Sequence, residues 1–452
     1  MLRIGFICPS SDYLFDPFRG DPHTHFQILT VLEARFGGNV DLRLIDLRGI
    51  ERKFAEYHIP ECDVYLYSLY TLDHEELTSL TRILRARYPR AKHITGGPHA
   101  TVYQEECLKI FDSLIIGEGE ESIVRAISDY MSPSGLKPIY TEPKPVDINR
   151  YPVPSRKYLP SSSIAREGLM AIKTKPDYDK FLSTTVMFSR GCPYKCSYCA
   201  MTSRKAISPT IRYRTPELIE EEIEYLKHEY QIQGINMFDE IGIPMSQKAA
   251  IPHLEAFART GILWRGQIRV DGISPEIASL AKESGCIQLS LGVESVCQQS
   301  LDIVNKKIKV SEAKNTIRLL KENGIECRVY LISGMPGEPE DIVQQTLDFL
   351  EETQPDSAVL SLFTVRPGTE AFEHPERFGI KKVRTDWRST MHLQGRYEEE
   401  TPALTMEYEE RTPWGRGFST ERIISNFREL HSEINARGFG AVVYKKSDRS
   451  AA

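Results

Sequence analysis

Two runs of alternating strand and helix signals, separated by a stretch rich in Pro, Ser and Lys, leave this chain few folds to adopt. In the first run, apolar segments at Leu2–Cys8, Val40–Leu47, Cys62–Leu69, Lys92–Thr95 and Phe111–Ile116 read as strands. Helical spacing covers His25–Phe36 and about His74–Tyr88, with Asp73 as N-cap and Glu76 completing a capping box. Short loops between such units predict a doubly wound parallel sheet of Rossmann or flavodoxin type, whose ligands sit beyond the C-terminal strand ends. Gly96-Gly97 and Gly117-Glu118-Gly119 fall at two of those ends. Residues 132–182 show little periodicity and read as a linker. The second run places strands near 184–189, 234–238, 265–270, 286–292, 326–334 and 357–365. Thr215-Pro216 starts one intervening helix, with Ile219, Ile223, Leu226 and Tyr230 on its apolar face, and Ser311 caps another that ends at Gly324. Six consecutive β-α units predict a partial (β/α)6 version of the eightfold barrel, and the fold class is α/β. Residues 380–452 are polar, with Trp387, Trp414 and a helical stretch near 420–436, and are expected to close the barrel or cover the substrate.

Length and composition narrow the function. A chain of 452 residues suits two domains, and 40% hydrophobic with 27% charged residues fits a soluble globular protein. The net charge of −6 and the lack of a strongly basic segment argue against a nucleic-acid partner gripped through phosphates. Met1–Cys8 reads as a first strand rather than a signal peptide, and no segment approaches the roughly 20 apolar residues of a membrane helix. A cytoplasmic location is expected. Nine cysteines in a reducing compartment are then not a disulfide framework.

Three of the nine crowd together in Arg190-Gly191-Cys192-Pro193-Tyr194-Lys195-Cys196-Ser197-Tyr198-Cys199, directly after the first barrel strand. Barrel active sites lie at that end. Thiolates suit zinc or iron–sulfur clusters. A closed zinc site wants four ligands, and no fourth Cys or His stands at zinc-finger spacing. Three thiolates on a four-iron cluster leave one iron open for a ligand. The alternatives are a zinc site or incidental thiols. Cys286, Cys297 and Cys327 read as small core hydrophobes, and Glu398-Glu399-Glu400 as a solvated face.

The spacing C-x3-C-x2-C resembles the radical SAM signature, and about residues 184–370 share that family's order of motifs. The resemblance implies a [4Fe-4S] cluster held by Cys192, Cys196 and Cys199, whose open iron chelates S-adenosylmethionine (SAM) and cleaves it to a 5′-deoxyadenosyl radical. It further implies that Asp239 and Glu240, ending the second strand, contact the SAM amino group. Arg269 would reach the carboxylate, Ser290 and Glu294 the ribose and amino-acid end, Gly334 the adenine region, and Tyr198 the adenine face.

Before the barrel, Tyr67-Ser68-Leu69-Tyr70-Thr71, Thr95-Gly96-Gly97-Pro98-His99-Ala100 and Gly117-Glu118-Gly119-Glu120 together resemble the cobalamin-binding domain of one radical SAM class. The implied cofactor contacts are Ser68, Leu69, Thr71, Gly96, Gly97, Pro98, Gly117, Glu118 and Gly119, with Ser68, Gly96 and Gly97 leaving room for the nucleotide tail. A plain Rossmann-like sheet with turn glycines is the alternative. The older cobalamin pattern Asp-x-His-x-x-Gly reads here Asp46-Leu47-Arg48-Gly49-Ile50-Glu51, without the cobalt-binding His. The expectation is cobalt with no histidine beneath it and the Leu69–Thr71 loop on its lower side; His23, His25 and His74 are possible substitutes.

The resemblance thus divides the chain into a cobalamin-binding domain at 1–135, a linker at 136–182, a radical SAM domain at 183–380 and a C-terminal extension at 381–452. It implies a cobalamin-dependent methyltransferase moving a methyl from methylcobalamin to an unactivated carbon of a small-molecule or peptide substrate. The electron donor would be a flavodoxin or ferredoxin. Relatives of the same architecture rearrange or close rings without methyl transfer. Methylthiotransferases carry a second cluster in the first domain, but Cys8, Cys62 and Cys107 are scattered, two of them within strands. A non-catalytic cobalamin-binding module would need a vestigial cysteine motif, and all three cysteines are present.

Overall fold

The computed structural model describes residues 1–200, 210–391 and 402–441. These fall into two units, Met1–Ile164 and the residues from Ala165 onward. The first runs β1 (Leu2–Cys8), α1 (His23–Phe36), β2 (Val40–Asp46), β3 (Val64–Ser68), α2 (His74–Arg87), β4 (Lys92–Gly96), α3 (Pro98–Val102), α4 (Gln104–Leu108), β5 (Ser113–Ile116), α5 (Glu120–Tyr130), β6 (Ile139–Thr141) and α6 (Ser161–Ile164). The strands pair in parallel in the order β2-β1-β3-β4-β5-β6. Ile4 and Phe6 of β1 pack with Leu29, Leu32 and Ile123 on one face. Ile7 packs with Leu77, Leu80 and Leu84 on the other. Burial on both faces is why these strands read as near-continuous apolar runs. The chain leaves β1 toward β2 on one side and β3 on the other, so the sheet's switch point lies between β1 and β3.

Two local readings change. The stretch taken as a linker supplies β6, which pairs with β5, and its Tyr140 is buried in the same core. Three residues are too few to show a period. Asp73 precedes α2 without a side-chain cap, and Glu76 does not fold back on it. The Glu76 carboxylate instead accepts from Ser10 N and Oγ at 2.9 and 2.7 Å, tying the loop after β1 to α2.

The second unit runs β7 (Ser183–Val186), β8 (Ser189–Arg190), β9 (Arg212–Tyr213), α7 (Pro216–Tyr230), β10 (Gly234–Met237), α8 (Gln247–Thr260), β11 (Leu263–Ile268), α9 (Pro275–Glu283), β12 (Cys286–Glu294), α10 (Gln298–Ile303), α11 (Val310–Glu322), β13 (Glu326–Ser333), α12 (Ile342–Thr353) and β14 (Ser357–Leu362). It continues through α13 (Glu370–Glu373), β15 (Ile380–Val383), α14 (Trp387–Thr390), β16 (Met406–Tyr408) and α15 (Thr420–Ala436). Its main sheet is parallel, in the sequential order β7-β10-β11-β12-β13-β14. That order is the six-unit partial barrel. Trp264 is fully buried against Phe257 of α8, its indole donating to Ser284 O at 3.0 Å. Pro216 opens α7 as expected. Ser311 is not a cap: α11 begins one residue earlier, and Lys309 N donates to Glu312 Oε2 at 2.8 Å.

The C-terminal segment builds on the last barrel strand. The apolar face of α15, with Ile423, Phe427, Leu430 and Ile434, joins the barrel core. Beyond it, Ala358 N donates to Phe439 O at 2.8 Å, and Gly440 bridges Ala358 in parallel. The exposed edge of β14 is thereby partly covered, which is how a sheet protects an unpaired edge. Trp387 is buried and Trp414 half-buried. Glu398–Glu400 lie outside the described residues. Among the described residues no helix is long and apolar enough to cross a membrane.

Candidate active site

The cysteine run leaves β8, which pairs antiparallel with β9 through Ser189–Tyr213 and Arg190–Arg212. Neighbouring elements hold the loop in place. Ser197 N donates to Val304 O at 2.9 Å, and Asn305 Nδ2 to Lys195 O at 2.8 Å, both just beyond α10. From α13, Ala371 N donates to Ser197 O at 3.0 Å, while Ser197 Oγ donates to Glu370 Oε2 at 3.0 Å. None of the three is in a disulfide; Cys196 is buried, while Cys192 and Cys199 are partly exposed. Burial pushes the Cys192 and Cys196 thiols up; Cys196 adds to the rise at Cys192, and Glu294 to that at Cys196. Lys306 and Arg269 pull Cys196 the opposite way. Such cations favour thiolates, the form that binds metal.

Of the expected site residues, Arg269, Glu240 and Glu294 act on residues of this loop, whereas Ser290 and Gly334 contact other elements. Asp239 is almost fully buried, and its carboxylate accepts from Phe188 N at 2.9 Å; burial pushes it up to about 7. Glu240 is pushed up to about 7 by burial and by Asp239, with Arg366 opposing. Tyr198 lies against Phe363, ring centres 6.3 Å apart, and Glu294 and Cys196 help burial push its hydroxyl up. Arg269 lies with its guanidinium carbon 3.4 Å from the centre of the Tyr194 ring, paired with Asp271. Glu294 ends β12 with φ of +67° and pairs with the buried Lys306 at 2.6 Å. Ser290 is buried in mid-strand, opposite Gln267 and Arg328. Gly334 is enclosed on several sides: Glu338 accepts from its amide at 3.1 Å, and Tyr408 donates to its carbonyl at 2.9 Å. A Cβ at Gly334 would meet Ile423 of α15 at 2.6 Å.

Sequence reading missed Asn305, Lys306 and Arg366. No motif marks them. Asn305 and Lys307 share positive φ with Glu294, a concentration of strained backbone typical of functional sites. Cys286 and Cys327 are buried among apolar neighbours as expected, while Cys297 is partly exposed and sits 3.7 Å from Gly337 O.

Do these residues fit an iron–sulfur cluster? A single zinc ion draws its ligands to about 2.3 Å from one point. Among the described residues no three Cys, His, Asp or Glu side chains gather so tightly. Three cysteines outside any disulfide on one loop supply an all-sulfur donor set that suits an iron–sulfur cluster with one iron left open.

In the first unit, the implied cofactor residues lie at the ends of β3, β4 and β5. Gly97 has φ of +94°, and a Cβ there would meet Leu69 O at 2.7 Å and Leu69 N at 2.8 Å. A Cβ at Gly96 would meet Ile115 O at 3.1 Å. The room at both glycines is thus taken by the chain's own backbone. Pro98 opens α3, Ser68 and Leu69 are buried, and Glu118 accepts from Val146 N at 2.7 Å. A Cβ at Gly119 would meet Ile28 at 3.2 Å, whereas Gly117 faces open space. Thr71 accepts from or donates to His99 Nδ1 at 3.3 Å, and His99 stacks on His74 with centroids 4.5 Å apart.

Arg48, at the position of the missing histidine, is buried and forks onto Asp46 with two bonds of 2.8 Å. A guanidinium cannot ligate cobalt, so the departure from the older pattern is built into the loop. His25 engages Ile7 O through Nε2 at 3.1 Å and packs on Phe6. His74 engages Thr71 O at 3.3 Å, and burial beside Arg156 and Arg48 pushes His23 down to about 3. An open crevice edge at Gly117, at the strand ends of a doubly wound sheet, is compatible with a flat cofactor carrying a long tail. Cys8, Cys62 and Cys107 are buried, and burial pushes each thiol up; Cys62 and Cys107 reach about 11. They are poor cluster ligands.

Buried Asp73 supplies a pH test. Burial and Glu76 push its carboxyl up to about 7; Tyr13 and Arg52 oppose, and Asp12 adds to the rise. An acid whose folded pKa exceeds its unfolded value destabilises the fold increasingly as pH climbs between the two. Stability of the first unit should therefore fall between about pH 4 and pH 7. Asp73→Asn should remove that slope and stabilise the unit at pH 8 by on the order of 2–4 kcal/mol. Urea unfolding followed across this range measures it, and a slope equal to wild type contradicts the assignment.

A doubly wound sheet followed by a partial barrel with a cysteine loop at its strand ends defines a two-domain α/β protein. The comparisons specify the domains. The radical SAM superfamily profile matches residues 186–350, and the B12 binding domain profile matches residues 26–127. The chain therefore carries a B12-binding domain followed by a radical SAM domain. These domains imply a [4Fe-4S] cluster, SAM and cobalamin as cofactors. It is 28% identical over 301 residues to an uncharacterised methyltransferase of Pyrococcus horikoshii, covering 62% of each. It is 28% identical over 247 residues to the anaerobic magnesium-protoporphyrin IX monomethyl ester cyclase of Rubrivivax gelatinosus, covering 54% of this chain and 41% of that one. The chain thus spans less than two thirds of these relatives. The solved radical SAM methyltransferase TsrM from Kitasatospora setae, with cobalamin and [4Fe-4S] cluster bound, shares the fold at a TM-score of 0.62 and 17% identity, over 82% of this chain and 76% of that one.

Proposed function

We propose that this chain is a cobalamin-dependent radical SAM C-methyltransferase acting on a small-molecule or peptide intermediate. The observation that carries the reading is three cysteines outside any disulfide on one anchored loop at the barrel's strand ends, in a chain with a B12-binding domain. When bound, the cluster, SAM and cobalamin supply radical generation and methyl transfer. Cys192, Cys196 and Cys199 hold the cluster. Asp239, Glu240, Arg269, Ser290, Glu294, Gly334 and Tyr198 surround SAM. Ser68, Leu69, Thr71, Gly96, Gly97, Pro98 and Gly117-Glu118-Gly119 line the cobalamin crevice. The C-terminal segment after residue 380 covers the substrate. Relatives named as methyltransferases support the outcome. A cytoplasmic location and a flavodoxin or ferredoxin as electron donor accompany it.

A second reading, ring formation without methyl transfer, is favoured by the cyclase relatives. The products separate the two. Protein reconstituted anaerobically is incubated with reductant, cobalamin, methyl-deuterated SAM and a small-molecule extract. Methyl transfer yields S-adenosylhomocysteine and 5′-deoxyadenosine together with a deuterium-labelled product. Deoxyadenosine without S-adenosylhomocysteine refutes methyl transfer and favours the cyclase reading.

A further inference from the structure

Of the arginines near the cysteine loop, Arg190 and Arg212 are already partnered, and Arg269 and Arg366 differ in what their donors already do. Arg269 is committed. Its Nε and Nη2 donate to Asp271 at 3.0 and 3.2 Å, Nη2 also reaches Lys306 O and Lys307 O at 3.0 and 3.3 Å, and its flat face covers Tyr194. Binding a ligand carboxylate would require it to give up bonds already made.

Arg366 is different. It lies beyond β14, in a turn fixed by Thr369, whose Oγ1 donates to Arg366 O at 2.7 Å. The residues that follow bond directly to the cysteine loop through Ala371 N and Glu370. Phe363, before it, packs on Tyr198. The side chain is part-buried, with Cys199 and Glu240 as the charges that act on it. Among the described residues its guanidinium donates no hydrogen bond and closes no ion pair. A sheltered arginine without a partner is costly unless an anion arrives. Glu240 stands near but does not neutralise it by contact. An acid and a cation held apart at one mouth match the two charges of an amino-acid zwitterion.

We propose that Arg366, rather than Arg269, binds the carboxylate of the SAM amino-acid end, opposite Glu240. The inference rests on the radical SAM reading above. A fork-shaped guanidinium suits a carboxylate in two-point contact, which a lysine ammonium cannot reproduce.

The test is equilibrium binding to the anaerobically reconstituted full chain, with SAM and decarboxylated SAM as probes. The second lacks the carboxylate and keeps the amine, sulfonium and adenosine. Wild type should prefer SAM by about 10- to 100-fold, the worth of a charged two-point contact. Arg366→Gln should bind the two probes about equally, with decarboxylated SAM bound as in wild type. Arg366→Lys should regain part of the preference. Iron content equal to wild type certifies that the loop is intact; should Arg366→Gln lose iron, Arg366→Lys carries the test. A preference that survives in Arg366→Gln overturns the proposal, as does equal weakening of both probes. Retention by Arg366→Gln with loss in Arg269→Gln returns the role to Arg269. A wild-type protein that forms no cluster defeats the functional reading instead, a separate outcome.

Discussion

Alanine at Cys192, Cys196 or Cys199 is expected to leave the anaerobically reconstituted protein nearly colourless and to lower 5′-deoxyadenosine formation by on the order of 1000-fold or more. Each thiol is one of only three anchors, so a missing one exposes a second iron and loosens the core. The loss should be chemical rather than structural. The loop keeps its hydrogen bonds to Val304, Asn305 and Ala371, none of which involves a thiol. Thermal unfolding of the cluster-free variants should match that of cluster-free wild type. Cys297→Ala is the control: its thiol donates to Gly337 O at 3.7 Å and packs against the barrel core, and iron content should not change. Iron and acid-labile sulfide analysis decides the matter. Full iron loading in any of the three loop variants would remove that residue from the ligand set.

Gly97→Ala should unfold or strongly loosen the first unit, at a cost of about 3–5 kcal/mol. Two penalties combine. The residue sits at φ of +94°, where a Cβ is disfavoured by about 1–2 kcal/mol. That Cβ would also strike Leu69 O and Leu69 N, both backbone atoms, at 2.7 and 2.8 Å. Leu69 cannot retreat, because its N–H donates to Gly96 O at 2.8 Å and its carbonyl accepts from His99 N at 3.0 Å. The clash therefore falls on the junction of the β3 and β4 strand ends, and cobalamin binding should fall with stability. Gly117→Ala is the informative contrast. Its φ is +80°, but nothing lies within 4 Å of the added carbon. Stability should drop by only about 1 kcal/mol. Urea unfolding and hydroxocobalamin titration separate the two variants. Equal stability of Gly97→Ala and wild type would mean that the Leu69 contact relaxes.

Residue pattern and spacing carried a great deal. Apolar runs such as Leu2–Cys8 and Glu326–Ser333 have to be buried on both faces, and that alone predicts parallel sheets with helical crossovers. The three thiols are close in sequence, so local covalent spacing suffices to bring them onto one loop. The missing histidine was legible too, since a ligand type is absent whatever the fold does. Capping was less legible. Glu76 at N3 matches a capping box, yet the buried Ser10 amide and hydroxyl compete for its carboxylate and win.

What the tertiary structure alone decided is which charges meet. Lys306 finds Glu294 across a bulge in β12, and Arg366 comes to the cysteine loop from beyond the last barrel strand. The glycines at 96 and 97 make way for Leu69 and Ile115, residues from neighbouring strand ends. Period and spacing are properties of a few consecutive residues, so a sequence states them directly. Long-range pairing depends on how strands stack side by side, and no short stretch of chain encodes its own neighbour.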